Sequence, residues 1–206
     1  MDVEQRLTDG LAQLGVPADE NLIGALVRYL ELIQQWNRAY NLTRITAMDD
    51  MALRHILDSV TAQPYLRGGA ILDAGTGAGL PGIPLALLEP ARRFTLVDSV
   101  GKKLRFLHQV VSDLGLANVS LVQARLEAYP AAGQFDTVVC RALASLADFI
   151  AACGRLAAPG GRLLAMKGRR PDDELSALPA PWRASAVDRV QVPGLDAERH
   201  IIVLER

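Results

Sequence analysis

Between Ala70 and Met166 five short apolar runs alternate with stretches of helical character, and few architectures accommodate that rhythm. The runs are Ala70–Ala74, Arg93–Asp98, Asn118–Val122, Phe135–Cys140 and Arg162–Met166. Between them lie Leu80–Leu88, Lys102–Leu114 and Ser145–Leu156, which carry the helical patterning. Short apolar runs bounded by glycine or polar residues predict strands buried on both faces. A helix between successive strands makes each connection a crossover, so the strands run parallel and helices cover both faces of the sheet. Two further runs, Ala184–Val192 and His200–Leu204, are joined through Pro193-Gly194, which is too short for a helical crossover. They predict an antiparallel hairpin. The whole reads as an α/β fold with a mostly parallel seven-stranded sheet that ends on an antiparallel strand.

Before residue 67 the pattern is helical. Leu22, Leu26, Leu30, Ile33 and Trp36, widened by Ile23 and Val27, mark one face of an amphipathic helix over Asp19–Thr43. A second helix is predicted to start at Thr46 as its cap, with Asp49 and Asp50 at the positive dipole end, and to stop near Pro64. Gly68-Gly69 then marks a joint. The expected division is a helical extension over residues 1–66, packed on a core over residues 67–206. A chain of 206 residues, half of them hydrophobic, has the material for such a core.

Composition removes several classes. No apolar run reaches the ~20 residues a membrane span needs, and the charged N-terminus lacks a secretory apolar stretch. Cys140 and Cys153 are too few for a disulfide framework. These features predict a soluble cytosolic protein. Net charge is -1, unevenly spread: residues 1–66 carry five Lys/Arg against nine Asp/Glu, and residues 67–206 carry 17 against 14. Five basic residues and no acid lie within 155–170, and five more against Asp98 alone within 92–105. If these segments converge they form a surface for an anionic partner; otherwise they are solvated faces.

The chemistry concentrates in Asp73-Ala74-Gly75-Thr76-Gly77-Ala78-Gly79-Leu80-Pro81-Gly82. Glycines directly after the first strand allow a tight turn and let a ligand reach the backbone, at the carboxyl ends of strands where open α/β sheets bind ligands. Asp98 closes the second strand, 19 residues beyond Gly79, where an acid can accept from both ribose hydroxyls. The spacing is G-x-G-x-G rather than the dinucleotide G-x-G-x-x-G, with Leu80 at the last glycine's place. Asp73 at the loop entrance suits a cationic ligand better than a pyrophosphate. S-adenosylmethionine, with one ribose, an adenine, no phosphate and a cationic end, fits best. An NAD(P)-dependent oxidoreductase and a non-catalytic RNA- or ribosome-binding module with a vestigial site remain the alternatives.

Asp73–Gly79 resembles motif I of class I S-adenosylmethionine-dependent methyltransferases, whose fold is Rossmann-like. Four stretches resemble, more narrowly, the glucose-inhibited division protein B family, which methylates guanine N7 in 16S ribosomal RNA. They are Trp36–Thr43, Arg54–Ser59, Gly75–Pro84 and Leu96–Ser99; Leu195–His200 agrees near the end. Ala78 stands where many members have proline, a small residue the loop tolerates. The resemblance implies cofactor contacts at Asp73, Gly75, Gly77, Gly79 and Leu80. It also implies a ribose acid at Asp98, an adenine pair at Leu126 and Glu127, and a cofactor-side position at Arg141. It further implies 16S rRNA as partner, in the small subunit or an assembly intermediate, with neither membrane nor metal. Lys102, Lys103, Arg125, Lys167 and Arg199 are the candidates for RNA phosphate. No residue is assigned as general base, because guanine N7 carries no proton.

Other chemistries fit less well. Arg54, His55, Asp58 and Ser59 share one predicted helix without a G-x-S-x-G elbow; Arg54 and Asp58 are better read as an i,i+4 pair. The histidines and cysteines lack metal-ligand spacing. Trp36 and Tyr40 read as core packing, with Asn37, Arg38 and Asn41 as further candidates to line the site or touch RNA. The fourth strand ends Cys140-Arg141-Ala142-Leu143, not the Asp/Asn-Pro-Pro-aromatic stretch of exocyclic-amine methylation. Cys140 follows valine in a buried strand and reads as a structural thiol, not a pyrimidine C5 nucleophile.

Overall fold

The computed structural model describes residues 2–141 and 145–206. Its sheet has seven strands: β1 (Ala70–Ala74), β2 (Arg93–Asp98), β3 (Val119–Gln123), β4 (Phe135–Arg141), β5 (Ala157–Lys167), β6 (Arg183–Arg189) and β7 (His200–Glu205). They lie in the order β3-β2-β1-β4-β5-β7-β6. The first five are parallel, and β7 runs antiparallel to both β5 and β6. The order reverses between β1 and β4, so a crevice opens there at the strands' carboxyl ends.

Alternation along each strand sorts the core into two layers. Ile71, Phe94, Leu96, Val139, Leu164, Met166, Ile201 and Val203 face one side. There they meet α1 (Val3–Gln13), α2 (Glu20–Tyr40), α3 (Met48–Met51), α4 (Asp58–Val60), α5 (Gly82–Leu88) and α6 (Gly101–Asp113). Leu72, Ala74, Val97, Val138, Cys140, Leu163, Ala165, Ile202 and Leu204 face the other, beneath α7 (Leu146–Cys153) and Trp182. Each large side chain so buried contributes about 1.5–3 kcal/mol from area removed from water. A short α8 (Asp172–Ser176) follows β5.

The helical segment before the sheet packs into the first layer. Leu26, Tyr29, Leu30 and Ile33 of α2 share one apolar cluster with Ile83, Leu107 and Val110. The Asp19 side chain caps α2 by accepting from Leu22 N–H at 2.8 Å. The helix ends where Asn41 turns left-handed at φ 50°, a conformation Asn tolerates better than most residues. Asn37 fixes the exit through two hydrogen bonds with the Thr43 backbone, both 2.9 Å. Helices α2 and α6 lie antiparallel. Arg28 pairs with Asp113 at one end, and Arg105 sits 5.8 Å from the Tyr40 ring centroid at the other.

Several expectations need correcting. The helix after Thr46 begins at Met48 with Ala47, not Thr46, in the capping position, and no side chain caps it. Its middle, Ala52–Leu57, is π-helical. Strand β5 begins five residues earlier than its apolar run. The link between β6 and β7 spans residues 190–199 rather than a tight Pro193-Gly194 turn. Ala142 and Leu143 lie outside the described residues.

Candidate active site

The loop after β1 is tied down on three sides. The N–H groups of Gly75 and Thr76 donate to the Val97 carbonyl at 2.9 and 3.0 Å, hanging the loop on β2. Those of Gly79 and Leu80 both donate to the Thr76 carbonyl at 2.9 Å. From the other side, the Tyr29 hydroxyl of α2 donates to the Ala78 carbonyl at 2.6 Å. Gly77 holds φ 63° with nothing but a backbone oxygen 3.9 Å from where a Cβ would stand, so this stretch of backbone is open to an approaching ligand. At Gly82 the constraint is space: a Cβ would lie 2.6 Å from Asp73 Oδ2.

Asp73 sits fully buried beneath the loop. Its Oδ2 accepts from Thr76 Oγ1 at 2.5 Å and from Gly82 N–H at 2.8 Å, while Oδ1 is buried without a hydrogen-bond partner. Burial pushes its carboxyl up to about 6, opposed by those two donors and by Arg141 and reinforced by Asp98. Asp98 ends β2 at 5 % exposure. Its Oδ2 accepts from Gly77 N–H at 2.9 Å and from Lys103 Nζ at 3.2 Å, and Oδ1 accepts from Val100 N–H at 2.9 Å. The carboxylate is thus aimed by two backbone amides. The remaining partner is a half-buried lysine that a diol can displace.

Leu126 and Glu127 form a single 3-10 turn with Ala128 just past β3. Arg141, at the end of β4, does not pair with Asp73 or Asp98. Its Nη1 reaches Asp58 Oδ2 at 3.2 Å and the Arg54 carbonyl at 2.7 Å. Arg199 Nε reaches the same carboxylate at 2.6 Å on Oδ1. Asp58 is buried and flanked by two arginines, so the expected Arg54–Asp58 pair is replaced by a bridge joining the start of α4 to the end of β4 and to the residue before β7. Two guanidinium groups on one carboxylate leave a local excess of positive charge. His55 is 4 % exposed, with Nε2 3.0 Å from Thr43 Oγ1 and Nδ1 unpartnered. Burial, with Arg141 beside it, lowers its pKa to about 4.

The basic segments are largely consumed by pairing. Arg92 bonds Glu89, Arg162 bonds Glu205, Lys167 bonds Glu174 and Arg170 bonds Asp172. Arg155 is taken up by backbone carbonyls. Lys102, Arg105 and Arg125 are exposed and in no ion pair among the described residues. Lys102 and Arg105 stand on the first turns of α6, at the crevice end, whereas Arg92 and Arg93 enter β2 at the opposite edge. Both cysteines are buried and in no disulfide, and burial pushes the Cys153 thiol up to about 12. Among the described residues no cluster could hold a metal ion, and no helix is long and apolar enough to cross a membrane. A concavity of about 490 Å³ between residues 189 and 198 shares no residue with the crevice.

Sequence reasoning missed the roles of Tyr29 and Arg155 and gave Asp58 the wrong partner; their partners lie 49, about 28 and 83 residues away. Such contacts leave no periodic or spacing signal.

Comparison with known proteins agrees with this geometry. The fold resembles a crystal structure of a SAM-dependent methyltransferase from Aquifex aeolicus, with TM-score 0.58 and 20% identity over 76% of this chain and 93% of that one. Curated relatives match at full length. The "Ribosomal RNA small subunit methyltransferase G" of Cronobacter sakazakii is 47% identical over 199 residues, 97% of this chain and 96% of that protein. The protein of the same name from Yersinia pseudotuberculosis is 47% identical over 202 residues, 98% of each. The family model described as GidB, rRNA small subunit methyltransferase G, matches residues 22–202, which takes in the glycine loop, Asp98, Arg141 and most of the helical segment that clamps them. By that match and those identities, this chain belongs to the GidB family of rRNA small subunit methyltransferases G.

Proposed function

We propose that this protein transfers the methyl group of S-adenosylmethionine to N7 of a guanine in 16S rRNA, presented in the small ribosomal subunit or an assembly intermediate. The observation that carries the reading is Asp73. It is a fully buried carboxyl with one oxygen unpartnered, beneath a loop whose open backbone suits a cationic ligand without phosphates. Gly75, Gly77, Gly79 and Leu80 would flank the methionine part and Asp98 would hold the ribose. Leu126 and Glu127 would meet the adenine, with Arg141 on the cofactor side of the crevice. Lys102, Lys103, Arg125, Lys167 and Arg199 are the proposed phosphate contacts; Lys103 and Lys167 would first leave Asp98 and Glu174, and Arg199 would act from its bridge to Asp58.

The cofactor supplies a methyl group activated by a sulfonium. The N7 lone pair forms a bond to the methyl carbon as the carbon–sulfur bond breaks, and that electron pair stays on sulfur. Positive charge moves onto the guanine, and no proton leaves N7. The protein's task reduces to alignment and electrostatics. Two features support N7 over other ring positions. His55 is buried and held neutral, not poised as a base near neutral pH, and Cys140 is a buried thiol rather than a presented nucleophile. In A-form RNA, N7 lies in a deep, narrow groove, so the target guanine must be splayed from its stack.

Titration calorimetry with S-adenosylmethionine and with NADH tests the cofactor half. S-adenosylmethionine should bind and NADH should not. Asp98→Ala removes the diol acceptor together with the Gly77 tie and should weaken binding by about 1–3 kcal/mol. NADH binding, or unchanged affinity in the variant, would refute this assignment.

A further inference from the structure

The turn Leu126–Ala128 is too short to satisfy its own carbonyls, since a single 3-10 turn leaves most of them without an internal partner. One side chain collects them. Nη2 of Arg155 donates to the carbonyl oxygens of Leu126 at 3.0 Å, Glu127 at 2.9 Å and Tyr129 at 2.6 Å. Arg155 lies in the turn Gly154–Leu156 between α7 and β5, and its own carbonyl accepts from Gly133 N–H at 2.8 Å. Its guanidinium is in no ion pair among the described residues, so its hydrogen bonds go to this one turn.

A peptide unit is rigid: fixing the carbonyl of residue 126 fixes the N–H of residue 127, and fixing that of 127 fixes the N–H of 128. The guanidinium is planar and permanently charged, and its donors are held in a fixed fork. We propose that Arg155 is a positioning residue for the adenine subsite, holding Leu126 and Glu127 in the orientation that reads the base. The inference rests on the proposed reading of that pair as the adenine contact. It adds a residue from the turn between α7 and β5, about 28 positions along the chain, that acts through the backbone of residues 126–129.

The test pairs a change in the protein with a change in the ligand. Affinities of the full chain and its variants are measured for S-adenosylhomocysteine and for S-inosylhomocysteine, in which oxygen replaces the adenine amine. The wild type should prefer the adenosyl compound. Arg155→Ala should weaken the adenosyl compound about tenfold and the inosyl compound much less, shrinking the preference. Arg155→Lys should recover part of it, and kcat at saturating cofactor should stay at the wild-type value while KM for cofactor rises. Should Arg155→Ala fail to fold, Arg155→Gln, which keeps a neutral donor, carries the same comparison. A wild-type preference that survives undiminished in the folded variant overturns the inference and leaves the adenine assignment standing. Absence of any preference in the wild type overturns the adenine assignment and the inference with it.

Discussion

Burial holds both Asp73 and His55 toward their neutral forms, with opposite consequences for pH dependence. For His55 the folded pKa, about 4, lies below the unfolded value near 6.5, so the unfolded chain takes up the proton first as pH falls. Its contribution to stability is complete above pH ~6.5 and lost as pH falls toward ~4, about 3 kcal/mol across that window. Asp73, raised to about 6, contributes most below pH ~4 and loses that contribution as pH rises through 6. Comparing wild type with His55→Gln cancels the Asp73 effect. The variant should lose less stability than wild type in urea titrations between pH ~7 and ~4.5. Both proteins should also keep flat pH–rate profiles between pH ~6.5 and ~8.5, because under the proposed N7 transfer no histidine serves as base. A bell-shaped wild-type profile flattened by His55→Gln would instead place His55 in the proton chemistry.

At the scale of elements, what was legible followed from burial. The central strands face a packed layer on both sides, so their sequences are mostly apolar, and all five parallel strands could be placed. The start of β5 could not: Pro159, Gly160 and Gly161 sit within it beside an irregular register with β4. The π-helical Ala52–Leu57 was equally hidden, since its residues keep helical apolar spacing and its extra width is set by packing. The glycine loop was legible as a ligand site, but its clamp was not. Tyr29 sits on the apolar stripe of α2, where nothing separates it from ordinary core packing until the Ala78 carbonyl is seen 2.6 Å from its hydroxyl. Tyr29→Phe should cost about 1 kcal/mol in stability and raise KM for S-adenosylmethionine several-fold, leaving KM for RNA unchanged. Steady-state kinetics with each substrate varied in turn makes the distinction. Equal, unchanged KM values would show that the loop keeps its shape without that tie.

Across the whole molecule, the helical segment and the sheet share one apolar layer, and polar ties cross between them, among them Tyr29 to the loop, Arg28 to Asp113, and Asp58 to Arg141 and Arg199. We propose that residues 1–66 are an extension of the catalytic core, bringing α2 to the crevice alongside α6. The sequence placed the charges but not their partners, because pairing such as Arg199 with Asp58 is decided only when the chain closes. Under the proposed transfer to guanine N7 the crevice needs no acid–base residue, and that proposal is the central claim. Its most direct measurement is chemical mapping of the product. 16S rRNA in small subunits or assembly intermediates, methylated by the purified protein, is reduced with borohydride and treated with aniline, which cuts the chain at N7-methylguanosine. The account predicts cleavage at one guanine, dependent on S-adenosylmethionine and reduced by Asp98→Ala at limiting cofactor. RNA that has gained a labelled methyl group yet resists cleavage would contradict it.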